Sequence, residues 1–133
     1  MAAEPEPRWI TYEEVCETQL EQLDRFGGIY GIKDEGLVES AVFNPINAYL
    51  YEGETDILAL AIRLGAAIAR NHGFNDGNKR TAAVSLLTFL RANGFDLDMP
   101  DDTLLGRMLE AVLCDDMTEE EFADHIIDNI AEL

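Results

Sequence analysis

The chain has 133 residues and 47% hydrophobic content, enough for one folded domain that hides roughly two-thirds of its unfolded surface, and too apolar for a disordered chain. Nine Lys+Arg against 27 Asp+Glu give a formal charge of −18, which disfavours non-specific contact with nucleic acid or an anionic membrane. No apolar run reaches ~18 residues, so no membrane-spanning helix is expected, and residues 1–7 lack the basic start and apolar stretch of a secretory signal. Cys16 and Cys114 form neither a metal pattern nor a disulfide framework, as fits a reducing cytoplasm.

Residues 1–9 are expected to be a tail and residues 10–133 the domain. Thr11 and Glu14 have the spacing of a capping box, in which the threonine caps an amide and the glutamate reaches back. The helix they open carries Val15, Leu20, Leu23 and Phe26 as its apolar positions and ends before Gly27 and Gly28. A short helix over 36–43 is expected to stop at Asn44, because the residue before a proline, here Pro45, avoids helical angles. Residues 45–55 have no helical period and predict a loop or small hairpin. Its Tyr49 and Tyr51 are candidates for docking a target, against the plainer alternative of a connection whose tyrosines cover the core.

Thr55 and Asp56 can cap the next helix, in which Ile57, Leu60, Ala61, Leu64, Gly65 and Ile68 form one stripe reaching Asn71 and His72. A break at 73–77 separates it from a second apolar helix over 78–92, closed by Asn93 and Gly94. Asp101 and Asp102 are good caps for a helix through Leu113, and Thr118 with Glu121 forms a second capping box for the last one. No repeat, low-complexity tract or linker is visible. The expected fold is all-α: a single-domain helical bundle with two buried central helices flanking the 73–77 break.

Charge is unevenly spread. Residues 57–95 hold Arg63, Arg70, Lys79, Arg80 and Arg91 with a single acid, Asp76, for +4, while the other 94 residues carry −22. Exclusion of acids from a core explains their absence but not the adjacent Lys79 and Arg80. Those two lie in the first turn of a helix, the wrong end for cations by ~0.3–1 kcal/mol each, and a bound phosphate reverses that sign. Gly77 leaves room for a ligand against the backbone. Asp76 among these cations suits a hard ion such as Mg²⁺ held jointly by carboxylate and phosphate. His72 can take a proton from an attacking hydroxyl, and Phe74 can plug the loop into the core. Arg70, half a turn earlier, reaches either phosphate or an acidic neighbour. Singly, a histidine at a helix end is a dipole contact and Asn-Asp-Gly a turn. Together within nine residues they point to a phosphate site.

The run His72-x-Phe74-x-Asp76-Gly77-Asn78-Lys79-Arg80 resembles the signature H-x-F-x-D-x-N-K-R of the Doc (death on curing) toxins, a branch of the Fic/Doc superfamily. Residues 25–28, 32–37, 39–41, 69–72, 80–82 and 92–95 have Doc-like counterparts as well, so the resemblance spans nearly the whole chain. It implies a compact helical fold and a cytoplasmic toxin of a type II toxin–antitoxin pair. The implied activity is transfer of the γ-phosphate of ATP, with Mg²⁺, to a threonine of elongation factor Tu, stopping translation. A Phd-like antitoxin would cover the cleft with its C-terminal segment. By the same resemblance His72 is the general base, Asp76 the Mg²⁺ ligand, and Gly77, Asn78, Lys79 and Arg80 hold phosphate, while Gly73 and Phe74 shape the loop.

Fic relatives transfer AMP instead and carry H-P-F-x-[DE]-G-N-G-R-x-x-R. Lys79 stands where they have glycine and Ala83 where they have the last arginine, and both differences favour Doc. Gly73 replaces the proline usual in Fic and common in Doc-like sequences. Glycine is expected to loosen the loop, so a catalytically weakened interaction module is the alternative from another class. Lysine occurs only at 33 and 79, and the acidic remainder resembles surfaces adapted to high salt.

Overall fold

The structure, a computed structural model, describes residues 5–99 and 103–133. Six helices are present among them: α1 (Tyr12–Phe26), α2 (Glu35–Glu52), α3 (Ile57–Asn71), α4 (Asn78–Ala92), α5 (Leu104–Leu113) and α6 (Glu119–Ile126). Both capping boxes form, Thr11 with Glu14 and Thr118 with Glu121. Asp56 caps α3 through the Leu58 amide. Asp101 and Asp102, the caps expected for α5, lie outside the described residues, and Thr103 occupies the N-cap position.

Helix α3 is buried on nearly every side, from Leu58 through Ala69, because its small and aliphatic residues let α2, α4, α5 and α6 all close on it. The all-α expectation holds for the domain as a whole. One small addition is a two-stranded antiparallel sheet: β1 (Phe95–Leu97) follows the left-handed Gly94 and pairs with β2 (Ile130–Glu132), Phe95 opposite Glu132 and Leu97 opposite Ile130.

Three expectations need correction. The helix at 36–43 does not stop at Asn44 but runs through Pro45 to Glu52. An interior proline costs ~3 kcal/mol or more. Here Val38, Ala41, Val42, Pro45 and Ala48 form one buried face against α3, and a buried valine side chain alone contributes about 1.5–3 kcal/mol. Tertiary burial therefore overrides the local rule. Residues 45–52 are accordingly helix rather than loop or hairpin.

In α1 the buried face is Val15, Gln19, Gln22 and Leu23, while Leu20 and Phe26 are exposed. The buried face lies about one position from the apolar stripe because two glutamines occupy it. Finally, the domain begins before residue 10. Trp9 stacks on Phe89 at 5.9 Å between centroids and meets Tyr49 edge-on at 5.5 Å, and Asn93 exchanges two hydrogen bonds with the backbone of Arg8. An indole of that size has more to gain from the core than from solvent.

Candidate active site

The loop between α3 and α4 begins at His72, which takes left-handed angles (φ 51°, ψ 46°) as the C-cap of α3. A non-glycine residue there is uncommon and mildly strained. The imidazole is exposed, and no hydrogen bond involves it among the described residues. Phe74 is 2% exposed and anchors the loop in the core. Asn78, also buried, holds Phe74 from both ends: the Phe74 N–H donates to Asn78 Oδ1 at 3.1 Å and Asn78 Nδ2 donates to the Phe74 carbonyl at 2.9 Å. Its side chain is thus committed to shaping the turn, which leaves only its main-chain amide for the phosphate contact expected of Asn78.

Gly73 is buried, and its carbonyl accepts from the Lys33 and Asp34 amides at 2.8 and 3.0 Å. A Cβ added there would lie 2.5 Å from Val38 Cγ2 and 3.0 Å from Val38 N. The glycine is required by close approach to the first turn of α2 and does not loosen the loop, contrary to expectation. Asn75 N–H donates to the Gly31 carbonyl and Ile32 forms an antiparallel bridge with Phe74, so residues 27–34 lie as a strap along the motif loop.

Gly77, left-handed at φ 74°, is the N-cap of α4, and no side chain caps that helix. The amides of Asn78, Lys79 and Arg80 at its first turn are therefore available to an anion. Lys79 Nζ pairs with Glu110 Oε2 of α5 at 3.0 Å, and the Arg80 guanidinium lies over the Phe26 ring at 4.9 Å while donating to the Gly27 carbonyl at 3.4 Å. Arg70 is exposed on the last turn of α3, with no ion pair or hydrogen bond among the described residues. The other two cations of the strip are neutralised nearby, Arg63 by Glu52 and Arg91 by Asp96. The cationic strip is thus mostly core; of its exposed cations, Arg70, Lys79 and Arg80 flank the loop, and Arg91 lies in the last turn of α4.

Asp76 accepts from the Gly77 amide at 2.9 Å through Oδ1 and from the Ile29 amide at 3.2 Å through Oδ2. These two amides, with a smaller contribution from Arg80, hold its carboxyl below the usual range against the opposing effect of burial. No group of three or more His, Cys, Asp or Glu residues that could cage a metal exists among the described residues. One ionised carboxylate beside free amides and cations fits a Mg²⁺ that is carried mainly by nucleotide phosphates.

Tyr49 and Tyr51 do not join this site. Helix α2 starts at the motif loop and Tyr51 lies 16 residues along it, about 24 Å away at 1.5 Å per residue. Tyr49 is half-buried against Trp9. Exposed apolar residues beside the loop are instead Phe26, Ile29, Tyr30 and Ile32 on or beside the strap, with Leu37 on the first turn of α2. Sequence reasoning missed the strap, Gln19 and Glu110. The one local signal was apolar residues interleaved with Gly27, Gly28 and Gly31.

The family model described as Fic/DOC family matches residues 9–90, more than half of the chain and all of the loop. The chain belongs to the Fic/DOC family. Among relatives, it is 38% identical to "Protein kinase doc" of Escherichia phage P1 over 95 residues, 71% of this chain and 75% of that protein. It is also 37% identical to "Toxin Doc" of Mycolicibacterium smegmatis over 86 residues, 59% of this chain and 66% of that one. Both relatives are Doc proteins by name, so this Fic/DOC domain sits on the Doc side, where Lys79 and Ala83 also place it. No helix among the described residues is long and apolar enough to cross a membrane.

Proposed function

We propose that this protein is a Doc-type toxin that phosphorylates a protein hydroxyl, with a threonine of elongation factor Tu as target and ATP as donor. The observation that carries this is Lys79 at the uncapped first turn of α4, with the unencumbered imidazole of His72 at the other end of the same loop. The amides of α4, Lys79 and Arg80 hold the phosphates, and Asp76 contributes one carboxylate to Mg²⁺, which neutralises phosphate charge when bound. His72 accepts the proton of the threonine hydroxyl as its oxygen bonds to the γ-phosphorus. The bond from that phosphorus to the bridging oxygen breaks, and ADP leaves. Phosphoryl transfer needs little beyond such positioning and charge neutralisation. Asn78, Phe74 and Gly73 fix the loop, and the strap, rather than Tyr49 and Tyr51, supplies the docking surface. A cytoplasmic location and inhibition by a Phd-like antitoxin complete the proposal.

The runner-up is AMP transfer of the Fic kind. The interaction-module alternative drew its support from a loose Gly73, and a buried, doubly hydrogen-bonded Gly73 offers none. Incubation with γ- and α-labelled ATP and a translation-factor extract, antitoxin absent, separates the three. Label is expected from the γ position only. Transfer from the α position would establish AMP transfer, and none from either would favour the module.

The Lys79–Glu110 pair competes with phosphate for the lysine. Both side chains are about half exposed, so the pair contributes no more than ~0.2–1 kcal/mol. Glu110→Gln is accordingly expected to tighten Mg·ATP binding by up to about 5-fold with an almost unchanged urea midpoint. Weaker binding, measured by calorimetry, would show that Glu110 orients Lys79 rather than competing for it.

A further inference from the structure

The buried polar residues among the described ones are Gln19 and Gln22 on α1 and Asn78, Thr81 and Ser85 on α4. Gln19 is 2% exposed at a position where a leucine would pack without any polar cost. Its Nε2 donates to the main-chain carbonyl of Asp76, 3.2 Å away and 57 residues distant in sequence. Only the nitrogen end of the amide can face a carbonyl oxygen, so the direction of this bond is fixed.

That carbonyl belongs to the peptide joining Asp76 to Gly77. In a trans peptide the C=O and N–H point in opposite directions. Holding the carbonyl against α1 therefore sends the Gly77 N–H to the other side, where it meets Asp76 Oδ1 at 2.9 Å. The plane needs holding because glycine, here at φ 74°, visits either sign of φ without steric penalty. A turned plane would break the bond to the Asp76 carboxylate and aim a carbonyl oxygen toward the first turn of α4. Leu23, one turn beyond Gln19, lies 3.6 Å from where a Gly77 side chain would be, so α1 braces the glycine from the same side.

We propose that Gln19 is a positioning residue whose side-chain amide locks the Asp76–Gly77 peptide in the orientation that keeps its carbonyl oxygen turned away from the phosphate position. Its bearing on phosphate rests on the kinase reading above, and the test separates the two. In Gln19→Met, which keeps the side-chain length but removes the donor, the Gly77 amide signal in a ¹H–¹⁵N spectrum is expected to move. Signals of α5 and α6 should stay in place, and Mg·ATP binding should weaken about 5-fold, as for one lost hydrogen bond. A merely structural glutamine would lower the urea midpoint without singling out Gly77.

An unmoved Gly77 signal overturns the proposal, as does a moved signal with unchanged Mg·ATP affinity. If the unmodified protein fails to bind Mg·ATP, the kinase reading falls, and the Gly77 signal still decides whether the peptide is locked. Should Gln19→Met not fold, the unmodified protein serves. Its Gln19 side-chain protons are expected to exchange slowly with water and to show coupling to the Asp76 carbonyl carbon, and rapid exchange without coupling overturns the lock.

Discussion

Replacing His72 with asparagine is expected to cut γ-phosphate transfer about 10²–10⁴-fold, the range for loss of a general base, while leaving Mg·ATP affinity and the unfolding midpoint close to those of the parent. Asparagine is chosen because residue 72 has left-handed angles, which asparagine tolerates better than alanine. No hydrogen bond among the described residues is lost with the imidazole, so the variant isolates the chemistry. Transfer within about 3-fold of the parent would remove His72 from the role of base. A matching loss of nucleotide affinity would instead assign it to binding.

The second large effect concerns stability. Gly73→Ala places a methyl group 2.5 Å from Val38 Cγ2 and 3.0 Å from the Val38 nitrogen. Val38 cannot swing aside, because a β-branched side chain in a helix has one strongly preferred rotamer and this one is buried. Overpacking of this kind costs typically 1–3 kcal/mol. Gly73→Pro carries the same Cβ, so installing the proline common elsewhere in the family should destabilise this chain by a similar amount. Val38→Ala removes the closest of these contacts, the one to Cγ2, and the double variant is expected to be more stable than the sum of the two single changes allows. Urea unfolding of the three proteins measures the coupling. Strict additivity would mean that residues 73 and 38 do not compete for the same volume.

These contacts explain which parts of the protein could be read from its sequence. Thr11 with Glu14 and Thr118 with Glu121 act within four residues, so spacing alone reveals them. The α3–loop–α4 boundaries were legible for the same reason, since Asp56, Asn71 and the 73–77 break are local signals. Pro45 misled because its local preference was outweighed by a face of α2 whose partner, α3, comes later in the chain. Nothing in the sequence singles out Gln19, because its partner is a backbone carbonyl at 76, and main-chain carbonyls carry no sequence signature. Gly73 read as freedom because the atoms that make it a constraint belong to Val38, 35 positions away. Residue types pointed to the loop's chemistry, whereas its rigidity comes from contacts that span the fold.

Helices α1, α2, α3 and α6 each begin with a side chain that caps an amide, and α4 does not. Glycine at the N-cap, here Gly77, forgoes a few tenths of a kcal/mol of helix stability relative to a capping side chain. In α4 that deficit is localised where an anion would make it good, so folding and ligand occupancy are thermodynamically linked. On the kinase reading proposed above, a bound nucleotide would act as the missing cap, and the ligand-free protein would stand below its own attainable stability by the amount the phosphate restores.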